Sequence, residues 1–347
     1  VKKGIIILFF WSLCGLVKCV AEDIPLQGNL PSPKVTSVSV VVVEDRKAVR
    51  AFEPQFSLVQ TLVDRGICKM TGKDTISNAW KTLVTTQDVI GIKVLSSPGL
   101  SGTRPAVAEA VVTSLINSGI PTSNIIIWDK HIADLRSAGF VDVANRHQVR
   151  VQGSAEMGYD EKVYYDNSIL GTLVWGDLEF GRPDTKKGRK SYFSKMLTSQ
   201  VTKIINIAPL LNHNVAGING CLCSLALGSV DNTMRFELQD DRMARAIPEI
   251  YAQPPLVDHT VLNIMDALLA QYQGEQTSLL QYAVPLGQIW FSKDPVALDV
   301  LGMAELDRQR QVVGLPPSKA NPELYQNATL MELGVSEIRK IQINQVK

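Results

Sequence analysis

One stretch, residues 89–128, constrains the fold more than any other. It joins an apolar run (VIGIKVL, Val89 to Leu95), a Gly/Ser loop (SSPGLSGTR), a helix-forming segment from Pro105 to Ser118, and a second apolar run (NIIIW, Asn124 to Trp128). Short apolar runs bounded by turn residues read as buried strands, while Pro105 at a first helical position and Gly119 after a last one mark helix ends. Strand, helix, strand in this order is a βαβ unit, which places its two strands parallel in one sheet.

The same alternation continues on both sides. Ser37 to Val43 (SVSVVVV) reads as a β-branched strand, and Phe56 to Gly66 has helical spacing and closes at Gly66. A short element is expected at Trp80 to Thr85, a short helix at Ile132 to Gly139, and strands at Val149 to Gln152, Val201 to Ile207, Val261 to Met265 and Gln288 to Ser292. Asp294 and Pro295 read as the N-cap and first residue of a helix that runs through Leu306. The expected fold class is α/β, a mostly parallel or mixed sheet flanked by helices, in one domain over residues 37–315. Residues 159–190 break the rhythm. Turn dipeptides (Asp166-Asn167, Trp175-Gly176) among alternating residues suggest a hairpin-like insertion with a basic loop, Lys186 to Lys190, and a division into two lobes is open near 155–200. A C-terminal tail, 316–347, carries a short helix near Asn321 to Leu333.

The amino terminus reads as an address. Lys2 and Lys3 precede an apolar run, Gly4 to Val17, and Ala21 precedes Glu22-Asp23. This is the order of a secretory signal peptide over residues 1–21, followed by a Pro- and Gly-bearing linker over 22–36. The expected location is outside the cytoplasm, periplasmic or extracellular. An uncleaved signal segment is the alternative and the one expected route to a membrane. Export leaves Cys68, Cys221 and Cys223, for which one disulfide and simple burial are both open. Formal net charge is +1, from 35 basic and 34 acidic residues, so a nucleic-acid partner has little electrostatic support and a small-molecule ligand is expected instead.

Candidate chemistry gathers where strands end, because α/β sheets bind ligands at the carboxyl ends of their strands. Lys93 lies in the strand before the Gly/Ser loop, and Ser101, Thr103 and Arg104 lead into the next helix. Free N–H groups at a helix start favour a carboxylate or phosphate, and Arg104 adds a bidentate donor. The loop is neither a Walker loop nor a dinucleotide fingerprint. His213 follows the apolar run 204–207 between Asn212 and Asn214, with Asn219 beyond, and is placed to act as acid, base or metal ligand. Asp129-Lys130-His131 directly follows another strand. Asp266 and Asp294 each follow a strand and share one sheet edge if those strands are parallel; Asp299 lies one helical turn past Asp294. Asp129, His213 and Asp299 are the metal candidates, although no spacing here is diagnostic of a metal site.

Taken together, VIGIKV, the loop through TRPAVAEAVVTSLINSGIPTSNIIIWDK, DLRSAGF, NHNVAGINGCLCSLALGSVDN, IPEIYAQP, NIMDALLAQYQG and SKDPVALDVLG resemble the bacterial and archaeal "domain of unknown function 362" family over most of residues 38–315. The resemblance implies an α/β fold, often exported, with iron–sulfur modules in some relatives. Leu211, Cys223 and Leu95 stand where the family pattern has two lysines and an asparagine, and Glu237 to Asp241 stand where relatives place His and Cys. An iron–sulfur cluster is therefore not expected; the resemblance leaves redox chemistry at another bound cofactor open, and the cofactor is not identified by the sequence. The combined expectation is an enzyme acting on a small anionic molecule, with His213 as acid/base and Asp266 or Asp294 beside it. The alternative is a non-catalytic small-molecule-binding protein, or an enzyme relative that has lost activity.

Overall fold

Neighbouring residues of the apolar runs go to opposite faces of one sheet. Ile204, Ala208, Ile126 and Trp128 join the core on one face; Ile205, Ile207, Ile125 and Ile127 join the core on the other. Strands buried on both faces read as continuous apolar runs, and helices cover both sides. The computed structural model describes residues 37–174, 177, 187–237, 239–318 and 320–347. The expected signal peptide and linker, and Trp175-Gly176, lie outside the described residues.

In chain order the strands are β1 (Val38–Glu44), β2 (Val49–Arg50), β3 (Glu53–Pro54), β4 (Ile90–Val94), β5 (Ile125–Asp129), β6 (Arg150–Gly153), β7 (Tyr159–Thr172), β8 (Lys187–Ser194), β9 (Lys203–His213), β10 (Gly217–Ile218), β11 (Thr260–Gln271), β12 (Ala283–Ser292) and β13 (Ile341–Val346). The main sheet has the order β13-β1-β12-β11-β9-β4-β5-β6, with β10 paired to the end of β9. From β11 to β6 all neighbours are parallel, whereas β12 is antiparallel to both β11 and β1. The fold is thus the expected α/β class with a mixed, mostly parallel sheet. From β4 the chain moves outward through β5 to β6, then returns to β9 on the other side of β4. That reversal opens a crevice at the carboxyl ends of β4 and β9, the topological switch point of the sheet.

Several elements differ from their sequence reading. The helix Phe56–Thr71 runs through Gly66 and stops at Gly72, whose φ is 66°. Gly66 serves packing, since a Cβ there would lie 2.1 Å from the Phe291 ring. Strand β9 continues past Ile207 and Pro209 to His213, so the Asn212-His213 pair belongs to the strand end. Its ladder with β11 is irregular between Asp266↔Pro209 and Gln271↔Leu211, a place where a proline lacking N–H is tolerated. The insertion is an antiparallel β7–β8 hairpin, but Asp166-Asn167 lies within β7, and Lys187 to Lys190 form strand β8 instead of a loop. The Lys190 ammonium sits 3.9 Å from the centre of the Tyr164 ring. The tail contributes β13, an edge strand parallel to β1, beyond its helix Glu323–Leu330. Cys68, Cys221 and Cys223 are free thiols. Among the described residues no helix is long and apolar enough to cross a membrane.

Candidate functional site

Strand β4 is buried along its whole length, and Lys93 within it is fully buried. A buried ammonium is stable only with partners for its charge and its protons. Lys93 Nζ has three: Asp129 Oδ1 at 2.9 Å, Val94 O at 2.7 Å and Ser224 Oγ at 3.0 Å. Gly228 makes the room, since a Cβ there would come within 2.3 Å of Lys93 Cε. The second oxygen of Asp129 accepts from both the N–H and the hydroxyl of Ser96, each at 2.7 Å. Burial opposes charge on both partners. For Lys93 desolvation prevails and pulls the ammonium below its usual range; for Asp129 the Lys93 charge and the Ser96 donors outweigh desolvation and hold the carboxyl low. Lys93 therefore has no N–H left to offer an anion.

The Gly/Ser loop is knit into the fold in the same way. Thr103 Oγ1 accepts from Leu95 N at 3.0 Å and donates to Ile207 O at 2.8 Å, while Ser101 Oγ donates to Pro98 O at 3.2 Å. The Arg104 guanidinium turns back on its own loop, donating from Nε to Gly102 O at 3.1 Å and from Nη2 to Gly102 O and Leu100 O. Only Nη1 of this side chain is buried without a hydrogen-bond partner. The anion position at the start of helix Pro105–Asn117 is already taken. Asp266 Oδ2 accepts from Arg104 N at 2.6 Å and lies 3.8 Å from Arg104 Nε.

The other two aspartates do the same work elsewhere. Asp294 caps helix Pro295–Val312 by accepting from Ala297 N at 2.8 Å and also accepts from Val335 N at 2.8 Å. Asp299 covers the start of helix Cys221–Ser229, accepting from Cys221 N at 2.6 Å and Leu222 N at 2.9 Å. Carboxylates at helix N-termini meet open N–H groups and the favourable end of the helix dipole. Burial raises all three carboxyls against these donors, Asp299 to about 7. Asp266 lies within β11, which runs past Met265, while Asp294 follows β12, whose Ser292 pairs with Asn263; with the two strands antiparallel, the aspartates do not share one sheet edge.

His213 closes the turn between β9 and β10. Its Nδ1 accepts from the N–H groups of Val215 and Ala216, both at 3.1 Å. Burial, the larger effect, lowers its pKa against the opposing charges of Glu275 and Glu237, which keeps the ring neutral and Nδ1 an acceptor. Asn214 N donates to Glu275 Oε1 at 2.7 Å, and Asn212 Oδ1 accepts from Glu275 N at 3.1 Å, which ties the turn to the end of β11. Asp129, His213 and Asp299 do not converge. Among the described residues no group of three or more His, Cys, Asp or Glu side chains is placed to hold a metal ion.

What the fold does bring together lies beside the switch point. A cleft of about 540 Å³ opens at the ends of β4 and β5, bounded by residues that follow β4 (Ser96), end or follow β5 (Asp129, Lys130, His131), and precede or belong to helix Cys221–Ser229 (Asn219, Ser224). Asn219 is 4% exposed, and its Oδ1 is buried with no hydrogen-bond partner. With Lys93 donating to its Oγ, Ser224 is left with its own proton to donate. Lys130 Nζ touches Thr233 Oγ1 at 3.1 Å, and His131 Nδ1 lies 3.7 Å from Glu156 Oε1. Asp177 and Glu237 complete the wall. Of the residues singled out from sequence, Asp129, Lys130, His131 and Asn219 line this cleft and Lys93 lies directly behind it. Ser101, Thr103, Arg104, His213, Asn214, Asp266, Asp294 and Asp299 do not line it. Ser224, Thr233 and Asp177 carried no sequence signal, because nothing local marks a helix serine as the partner of a lysine 131 residues away, and Glu237 stood out only as a departure from the family pattern.

A family model described as "Domain of unknown function (DUF362)" matches residues 90–304. A comparison with curated proteins finds no match. Among solved structures, the chain is similar to the crystal structure of a protein from Thermotoga maritima, at 10% sequence identity and a TM-score of 0.39, over 75% of this chain; it spans 59% of that protein's chain.

Proposed function

This chain belongs to the domain of unknown function 362 family, and on that premise we propose that it binds a small polar molecule in the cleft beside β4 and β5. The observation that carries this reading is Asn219: a buried side-chain carbonyl without a partner, lining a cleft at the switch point of the sheet. A buried acceptor left unpaired costs about 1–3 kcal/mol, which a ligand donor offsets. Beside it, the Lys93–Asp129 pair acts as a rigid floor that holds Ser96 and Ser224 toward the cleft.

The expected enzyme acting on a carboxylate or phosphate rested on Lys93, Arg104 and His213. Lys93 spends its N–H groups within the protein, Arg104 is turned onto its own loop and Asp266 with only Nη1 left over, and His213 Nδ1 is held by backbone N–H groups, so these residues lend that chemistry little support. A catalytic reading is favoured by a different group, His131, which lines the cleft half-buried beside Glu156. The leader-like segment ending at Ala21 supports binding outside the cytoplasm, and a mature chain starting at Glu22 in terminal sequencing checks that part.

Native mass spectrometry of protein from its own source is the direct test. A small molecule retained by the native chain, and weakened about tenfold or more in Asn219→Leu, is the expected result. A chain that carries none and binds none from a polar metabolite library counts against the reading. His131→Asn separates the two versions: loss of turnover with retained binding makes the site catalytic.

A further inference from the structure

The charges around the cleft point to the chemical class of its occupant, on the reading that the cleft binds a small molecule at all. We propose that this ligand carries a protonated amine, held by Asn219 with Asp134, Asp177 and Glu237 as its countercharge. All three carboxylates line the cleft, and none takes part in an ion pair among the described residues. Asp177 is fixed in place by the N–H groups of Asn232 and Val174, each at 2.8 Å, which steady the carboxylate without neutralising it. The fourth lining carboxylate, Asp129, is answered by Lys93 from behind. Among the described residues, Lys130 is the one lysine or arginine that lines the cleft, against the three carboxylates that stand outside any ion pair. An entering carboxylate or phosphate meets like charge there; an ammonium meets opposite charge.

The hydrogen-bonding complement agrees. Asn219 Oδ1 needs a donor, and an ammonium group supplies up to three N–H donors. Ser96 gives its proton to Asp129 and so presents its oxygen to the cleft as a further acceptor. Among the described residues the acidic side chains are not gathered into a metal-ligating set. Charge spread along a wall suits an extended organic cation better than a bare ion.

The test titrates the whole chain, at low salt, with three probes of matched length: 1,4-diaminobutane, 1,4-butanediol and succinate. Calorimetric binding is expected to favour the diamine over the diol by about tenfold and to leave succinate weakest. Diamine affinity is expected to fall about tenfold in Glu237→Gln and in Asn219→Leu, and to weaken as salt is raised. Glu237 is partly exposed, so its variant keeps the test alive if Asn219→Leu does not fold. Lys130→Gln supplies the sharpest sign: removing a like charge is expected to tighten diamine binding several-fold, whereas an anion site loses affinity. Equal or tighter binding of the diol or succinate, through the same Asn219, overturns the amine while leaving a small-molecule cleft intact. Binding by none of the three overturns the amine as well, and a native chain with no retained molecule then removes the underlying reading.

Discussion

Arg104 and Lys130 are cations that both follow a strand of the same sheet, and the sequence marks Arg104 as the one to hold an anion. Their surroundings differ. Around Arg104, Thr103 and Ser101 bond to the backbone, the guanidinium folds back on Gly102 and Leu100, and Asp266 fills the anion position at the helix start. Around Lys130, Asn219 Oδ1 lacks a partner, and three carboxylates stand outside any ion pair among the described residues. A Gly-rich loop before a helix binds an external anion only while its N–H groups stay open. Here strand β11, separated from β4 by β9, brought its own carboxylate. The lesson is that polar residues at a sheet edge mark a site when their hydrogen-bonding capacity remains unengaged, not merely when they cluster.

The strongest challenge to this contrast is removal of the floor. Lys93→Ala leaves Asp129 buried without its cation and is expected to cost about 3–5 kcal/mol in chemical denaturation, with the Lys93→Ala/Asp129→Ala double variant less destabilised than the sum of the singles. A loss near zero means that the pair is solvated and is no floor. Next in size is the pH response of Asp299. Its folded carboxyl is raised from 3.8 to about 7 by burial, so the linked stability is full below about pH 4 and is lost as pH rises through 7. Stability curves of wild type and Asp299→Asn are expected to diverge across that window by on the order of 4 kcal/mol, the variant being the flatter. Arg104→Gln should cost about 2–3 kcal/mol by stranding Asp266, while ligand affinity in the cleft stays unchanged. A large drop in affinity with little loss of stability reverses the roles assigned to the two regions.

The smallest effect belongs to His213. Replacing it with Ala removes an acceptor for two N–H groups and is expected to cost about 1–2 kcal/mol, again with binding intact. Its folded pKa lies below 6.5, so its contribution is present above that value and fades as pH falls through the lowered one. Wild type and variant should therefore converge in acid. Divergence in acid, or loss of turnover in the variant, restores His213 as a candidate catalyst.

Some of this was legible without a fold. The βαβ unit over 89–128 and the cap formed by Asp294 before Pro295 rest on interactions within a few residues, and both stand in the structure. Lys93 and Asp129, at or near the ends of adjacent apolar runs, do meet beside the cleft at the ends of β4 and β5. Assignments of role went astray wherever the partner lay far along the chain. Asp266 meets Arg104 across 162 residues and Asp299 meets Cys221 across 78, so neither engagement leaves a trace in local spacing. Gly66 misled for the same reason, because the Phe291 ring that this helix residue accommodates belongs to strand β12, far along the chain.

Periodicity and turn chemistry, which act over a turn of helix or a few residues of strand, determined by themselves that this chain builds an α/β fold, a mostly parallel or mixed sheet covered by helices. Strand order, the antiparallel placement of β12, and the choice of which polar groups remain unengaged were decided only by tertiary structure. A hydrogen bond is made or lost by geometry at 3 Å, and that geometry is set by packing between residues the chain keeps a hundred positions apart.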